Sequence, residues 1–221
     1  MKRLLAFSAT CLLVTTGVTA QTYTFQAIEG NNANTAAGEA QLRMTVSPVG
    51  GTQVNFRFFW EGATPMSITQ ISFDDFGAGP GVLASIDSLA GFGGPNFAVS
   101  AQNFPEGNNI DFTTSLQASS VAPPPHNGIN RANPLEYLDI VINLFGSSTF
   151  ADVITALNQG YVDGNNHGLR VGMHVQSIGD NEGSESFVNN IVPLPPAAWA
   201  GVFTLGAAAG LRTMRRRQLD N

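Results

Sequence analysis

The chain has 221 residues, a formal net charge of −6 and a single cysteine. Its ten basic residues are few, and the four in the middle of the chain (Arg43, Arg57, Arg131, Arg170) stand far apart, which argues against nucleic acid as a partner because a polyanion is held by clustered Lys and Arg. Cys11 falls in a segment read below as removed, which leaves no disulfide, thiolate metal site or cysteine nucleophile.

The first 20 residues read as a secretory signal peptide. Lys2-Arg3 form a positive start, Leu4 to Val14 an apolar run, and Val18-Thr19-Ala20 a small-residue cleavage site before Gln21. Cutting between Ala20 and Gln21 starts the exported body. From Gln21 to Val192 that body is 172 residues, the size of one ordinary domain. Four arginines, no lysine and fifteen acids give it a net charge of −11, a bias suited to solubility, divalent-cation association or a cell-surface layer.

Within the body the dominant period is two. Tyr23, Phe25 and Ala27 alternate with polar neighbours, as do Leu42, Met44 and Val46; Val54, Phe56, Phe58 and Trp60 follow a turn at Pro48 to Gly51. Further runs are Ile71 to Phe73, Phe97 to Ala101, Ile110 to Leu116, Leu138 to Leu144, Leu169 to Val175 and Phe187 to Ile191. Such alternation predicts half-buried antiparallel strands. Nine of them, separated by Gly, Asn and Pro, predict an all-β, antiparallel β-sandwich of jelly-roll-like form over 21–188. Trp60 continues the inward phase of its strand and belongs to the core.

One short helix is predicted near 149–159. Phe150, Val153, Ile154 and Leu157 fall at i, i+3, i+4 and i+7, with Ser148 or Thr149 as N-cap, Asp152 in the first turn and Gly160 beyond the end. The remaining stretches, Glu29 to Gly38, Gly77 to Gly81, Gly91 to Asn96, Pro105 to Asn109, Val121 to Pro134 and Asp163 to Gly168, read as Gly- and Asn-rich loops.

Three sets of residues bear on chemistry. Asp163-Gly164-Asn165-Asn166-His167-Gly168 begins like a calcium loop, and Asp74-Asp75 and Asp180 to Glu185 add oxygens. The twelfth position, where an EF-hand needs a bidentate Glu, holds His174, so a plain turn accounts for the segment better and no cofactor is assigned. Glu136 and Asp139 could serve as paired carboxylates, but Asp139 alternates with Leu138 and Ile140, which places it on a solvated face. His126, His167 and His174 lack a G-x-S-x-G elbow or an H-E-x-x-H helix, and His174 should sit at the surface or rim beside Arg170 and Gln176.

The C-terminal part, 189–221, reads as a linker and sorting tail. Val192-Pro193-Leu194-Pro195-Pro196 is a proline box, Ala197 to Leu211 is uncharged, and Arg212 with Arg215-Arg216-Arg217 closes the chain with positive charge. A proline is tolerated in a first helical turn, so a helix can begin near Pro196. The 15 uncharged residues fall short of the ~20 that span hydrocarbon, and snorkelling arginines would extend the membrane helix over 197–214. The basic cluster at 212–217 would stay on the cytoplasmic side, with the body outside.

Box, apolar helix and arginine cluster in this order resemble the sorting signal of the PEP-CTERM class of bacterial surface proteins, in the variant reading V-P-L-P. The resemblance covers Val192 to Arg217 and rests on Val192, Pro193, Leu194, Pro195, Arg215, Arg216 and Arg217. It implies processing by an exosortase, a membrane-embedded cysteine protease, and a single-pass membrane intermediate. Leu194 stands where the commoner box has Glu.

The expectation is an exported, non-enzymatic cell-surface or extracellular-matrix protein with the membrane and the exosortase as partners and exopolysaccharide as a further candidate. The second reading is a secreted glycan-binding module or glycan-active enzyme, calcium-assisted, with loop carboxylates and Trp60, Tyr137 or Tyr161 as a sugar platform.

Overall fold

A computed structural model describes residues 19–30, 33–75, 81–123, 125–132, 135–159, 168–181 and 183–190. These build eleven strands and two α-helices. The strands are β1 (Gln21–Tyr23), β2 (Phe25–Ala27), β3 (Leu42–Val49), β4 (Gln53–Trp60), β5 (Ser67–Asp74), β6 (Leu83–Phe92), β7 (Phe97–Val99), β8 (Leu116–Ser120), β9 (Tyr137–Leu144), β10 (Arg170–Ile178) and β11 (Gly183–Asn189). The helices are α1 (Ala33–Gln41) and α2 (Phe150–Gln159). A five-stranded sheet runs β1-β3-β4-β9-β6, a six-stranded sheet β2-β11-β10-β5-β8-β7, and every pairing is antiparallel.

The sheets face each other across one apolar core, as the period-two pattern predicts. Val54, Phe56 and Phe58 are fully buried and Trp60 is 4% exposed, each removed from water with a gain of about 1.5–3 kcal/mol. Phe73 of β5 meets Phe56 and Phe58 of β4 edge-on, with ring centroids at 5.0 and 6.2 Å, so the contact joins the two sheets. The Trp60 indole donates to the Ile129 carbonyl at 3.1 Å, which settles its one polar atom inside the core.

The Tyr23 to Ala27 run is one alternating stretch in sequence and two short strands in space. Tyr23 and Phe25 both reach the core, while the chain crosses at Thr24 so that β1 pairs with β3 and β2 with β11. At the other end of the domain, the Asn190 amide donates to the Thr24 carbonyl at 2.9 Å.

Four expectations need correction. The Glu29 to Gly38 stretch is no simple loop, since it contains most of an additional helix, α1, which packs on β2 and β11. Its Gly38 lies so close to the Phe187 ring that a Cβ there would come within 2.1 Å of it. Ile110 to Leu116 is not a strand. A 3-10 turn covers Gly107–Ile110, Asp111 takes a left-handed φ of 50°, and β8 begins only at Leu116. The carbonyls of Ile110 and Asp111 are captured by Arg170, so they do not enter a ladder. The run from Phe97 to Ala101 is shortened to β7.

The fourth correction is β6, which alternation does not reveal. Its register against β9 shifts twice, between Leu83 and Ser85 and between Ile86 and Ser88. Each bulge adds a residue, so the positions opposite inward-facing Leu144, Ile142 and Ile140 are Leu83, Ile86 and Leu89, three apart instead of two.

The second helix behaves as read. Thr149 is its N-cap: the Thr149 amide and hydroxyl both donate to Asp152 Oδ2, at 2.8 and 2.7 Å, and the Asp152 amide points back to Thr149 Oγ1 at 3.4 Å. Phe150, Val153 and Leu157 are buried. No helix among the described residues is long and apolar enough to cross a membrane, and the segment 197–214 lies outside them.

Candidate functional site

The outer face of the six-stranded sheet carries an unusual second layer. Each strand presents alternate residues outward, and antiparallel register aligns Asp74 with Arg170, then Gln117, Ser72, Gly172 and Val188 in a row, then Ser119, Gln70, His174 and Ser186. An outer sheet face is ordinarily wet. Here β5 is buried at all eight positions, because the segment from Ser100 to Ser115 folds back over it. Phe104 and Phe112 from that segment pack at 4.7 Å with Val188, Ile28 and Ile110 as a small separate apolar cluster.

Polar groups under this layer are joined in pairs. Gln117 is 1% exposed; its Oε1 accepts from the Gln102 amide at 2.7 Å and the Ser100 hydroxyl at 2.8 Å. Its Nε2 donates to Ser72 Oγ at 2.8 Å and to the Gln102 carbonyl at 2.9 Å. Gln70 Nε2 donates to the Asn103 carbonyl at 3.2 Å. Arg170, 2% exposed, donates through Nε and Nη2 to Asp74, and through Nη1 and Nη2 to the carbonyls of Ile110 and Asp111 at 2.6 and 2.7 Å. Asp74 also accepts from the Thr113 amide at 3.1 Å. Satisfied buried groups of this kind hold the loops above them in one arrangement.

Between the two pinned stretches lies a groove of about 400 Å³, with Phe104, Phe112 and Gln117 in its lining together with amides and hydroxyls from Gln102, Asn103, Asn108, Thr113, Thr114 and Ser115. Among the described residues lining it, none is ionisable. Sequence alternation puts Ser100 and Ala101 at the end of one strand and Phe112 to Ser115 in another, with Asn108 in a loop, and marks nothing at Gln102 to Phe104. The available signal was local: Gln102-Asn103 precedes Phe104, and Thr113-Thr114 follows Phe112, twice placing hydrogen-bonding side chains beside an aromatic ring.

The residues singled out from sequence distribute as follows. Asp139 does point outward, where Arg57 grips it through two bonds of 2.8 and 2.7 Å and Asn55 adds one of 3.0 Å. Burial works against its charge, but those donors outweigh it and hold its carboxyl below the usual range. Arg57 also lies 3.9 Å from the centre of the Tyr137 ring, which stacks on Phe92 at 5.0 Å. Glu136 is buried instead. It is 3% exposed, accepts from the Asn130 amide at 2.7 Å and Arg131 Nε at 2.5 Å, and ties the 130–136 turn together. It precedes β9, and its carboxylate is committed to this turn and not to Asp139.

His174 lies on the outer face as predicted, half-buried, with Nδ1 3.1 Å from the Ser186 hydroxyl. Burial pushes its pKa down, against a smaller opposing pull from Glu185. Ser186 is fully buried, so this pair does not present a hydroxyl to an incoming substrate. His126 is exposed. Asp74 and Asp75, considered as oxygen ligands, are engaged inside the fold: Asp75 Oδ2 accepts from the Leu83 amide at 2.7 Å. The calcium-like stretch from Asp163 to His167 and Tyr161 lie outside the described residues, as do Val192, Pro193, Leu194, Pro195, Arg215, Arg216 and Arg217. Ala20 is exposed and Gln21 is the first residue of β1.

No protein-family model, no curated protein and no solved structure matches this chain.

Proposed function

We propose that this is an exported, non-enzymatic protein of the bacterial cell surface or extracellular matrix, whose sandwich domain is delivered by a signal peptide over 1–20 and released or anchored through a C-terminal sorting signal. The observation that carries this reading is the succession of proline box, uncharged segment and arginine cluster over Val192 to Arg217, at the opposite end from the export signal. In it the exosortase acts at or near Val192-Pro193-Leu194-Pro195, and Arg215, Arg216 and Arg217 hold the tail on the cytoplasmic side.

Two features of the domain favour it. Gln21 opens β1, so cutting after Ala20 leaves that strand whole. Asn190 closes against Thr24, with the side-chain amide at 3.1 Å from Thr24 Oγ1, so the last described strand is tied back to the start of the domain just upstream of the box. An acidic body with four arginines suits a hydrated outer layer. We read the sandwich as jelly-roll-like, because the chain passes repeatedly between sheets, from β1 to β2, β2 to β3, β4 to β5, β5 to β6, β6 to β7, β8 to β9 and β9 to β10.

The test is the intact mass and membrane partitioning of the protein expressed in hosts with and without an exosortase. Loss of the tail near Val192, with the body reaching the surface or medium only when the exosortase is present, is the expected result. An uncut, membrane-retained chain in both hosts would leave a simple anchor and sink the sorting assignment.

A further inference from the structure

We infer that the groove between the Ser100–Phe104 and Asn108–Ser115 stretches is a binding site for an uncharged polyhydroxylated ligand, a neutral oligosaccharide chain.

Many polar groups around the groove are already committed within the fold. Four of the backbone amides along the groove are used internally: Ser100 donates to the Gln117 carbonyl, Gln102 to Gln117 Oε1, Thr113 to Asp74 and Ser115 to the Phe73 carbonyl. A peptide adding itself as a strand would find none of these N–H groups available. The buried side chains Gln117, Ser100 and Ser72 are likewise satisfied by one another. In contrast, the side chains of Gln102, Asn103, Asn108, Thr113 and Thr114 line the groove, and among the described residues none has a hydrogen-bond partner. What remains is a set of carboxamides and hydroxyls, groups that both donate and accept.

That set selects by chemistry. A sugar hydroxyl also donates and accepts, so each can be matched in either direction without desolvating an ion. A phosphate or carboxylate ligand would find no cation in this lining, on a body whose charge is already −11. Phe104 and Phe112, 6% and 8% exposed, add a small apolar contribution to an otherwise polar lining. The volume, about 400 Å³, falls within the ~300–1,000 Å³ of small-molecule sites.

The groove is also prepared in advance. Gln117 and Gln70 hold one wall through the backbone of Gln102 and Asn103, and Arg170 and Asp74 hold the other through Ile110, Asp111 and Thr113. A ligand would not have to order these loops at the cost of its own affinity.

The experiment uses the full chain in lipid nanodiscs, free of sugar-headed detergent. Cellohexaose, maltohexaose, laminarihexaose and β-1,4-mannohexaose are titrated by calorimetry, with hexagalacturonate as the charged comparison. Saturable binding of at least one neutral hexaose, weakened tenfold or more by Asn103→Ala combined with Thr113→Val and unchanged by Phe92→Ala on the other sheet, is the expected outcome. Asn103 and Thr113 are exposed, so the doubly substituted chain should keep its amide NMR spectrum outside the groove. Absence of saturation for all four neutral probes, equal binding by the doubly substituted chain, dependence on Phe92 instead, or preference for hexagalacturonate would each overturn the assignment.

Discussion

Arg170 aims both Nε and Nη2 at the same carboxylate oxygen, Asp74 Oδ2, across the β10–β5 pairing, and neither side chain is more than 2% exposed. The remaining donors of the guanidinium reach Ile110 and Asp111, so one buried ion pair carries the geometry of a loop above the sheet. Removing one partner would strand the other charge out of water. Arg170→Ala should therefore lower stability by about 3–5 kcal/mol in chemical denaturation. A loss below 1 kcal/mol would mean that the pair is not buried as described.

Gly172 lies directly under Phe104, and a Cβ added there would stand 2.5 Å from the ring's Cζ. Gly172→Ala should cost about 1–3 kcal/mol by forcing the ring to move. Because Phe104 lines the groove, chemical-shift changes should spread to Gln102 and Asn103 while β3 and β4 stay unaltered.

Thr149 caps α2 reciprocally with Asp152. Thr149→Ala should cost about 1 kcal/mol, and Thr149→Ser much less, since serine retains the hydroxyl. Thermal melts of the two variants side by side make the comparison.

Asp139 and Glu106 should respond to pH in opposite senses. The Asp139 carboxyl is held low, because Arg57 and Asn55 outweigh the burial that opposes its charge. Its stabilisation is present in full above the unfolded value of ~3.9 and is lost as pH falls through the lower folded value. Glu106 is pushed up, first by burial and then by Glu185 and Glu29, although the Ser186 amide opposes the shift. Its contribution is full below ~4.3 and is lost as pH rises through the folded value. Glu106→Gln should then raise the Tm at pH 7 more than at pH 3. Asp139→Asn should lower it at pH 7, by the equivalent of ~0.2–1 kcal/mol for a partly exposed pair, with the gap narrowing towards pH 2.

His174 offers a direct reading of burial. Its ring should titrate below ~6.5 by NMR, and the associated stability should fall as pH drops from ~6.5 through that lower midpoint. A midpoint above 6.5 would mean that Glu185 outweighs burial.

Strands with regular alternation were legible from residues alone: Leu42 to Val46, Val54 to Trp60 and Leu138 to Leu144 all place the expected side chains inside. The capped stripe of α2 was equally plain. What escaped was structure whose cause lies elsewhere in the chain. β6 hides because two bulges convert its period to three, and α1 because Asn34 to Gly38 carries loop-like residues that become helical against Phe187. Ile110 to Leu116 has the composition of a strand, yet Arg170, some 60 residues away, takes the carbonyls a ladder would need. The groove was illegible for the same reason. It arises only when the Phe104 and Phe112 stretches fold back over β5, some 30 residues earlier in the chain.

The borders of the two sheets bear on how many copies can share a small area. The terminal strands are β1 and β6 in one sheet and β2 and β7 in the other; three of these are only three residues long, and the ten-residue β6 is broken twice by bulges. A straight ten-residue border would template a neighbouring chain, whereas short or kinked ones offer too few aligned N–H and C=O groups to do so. The borders of this domain therefore give a neighbouring copy little to extend a sheet upon, however closely the copies are packed.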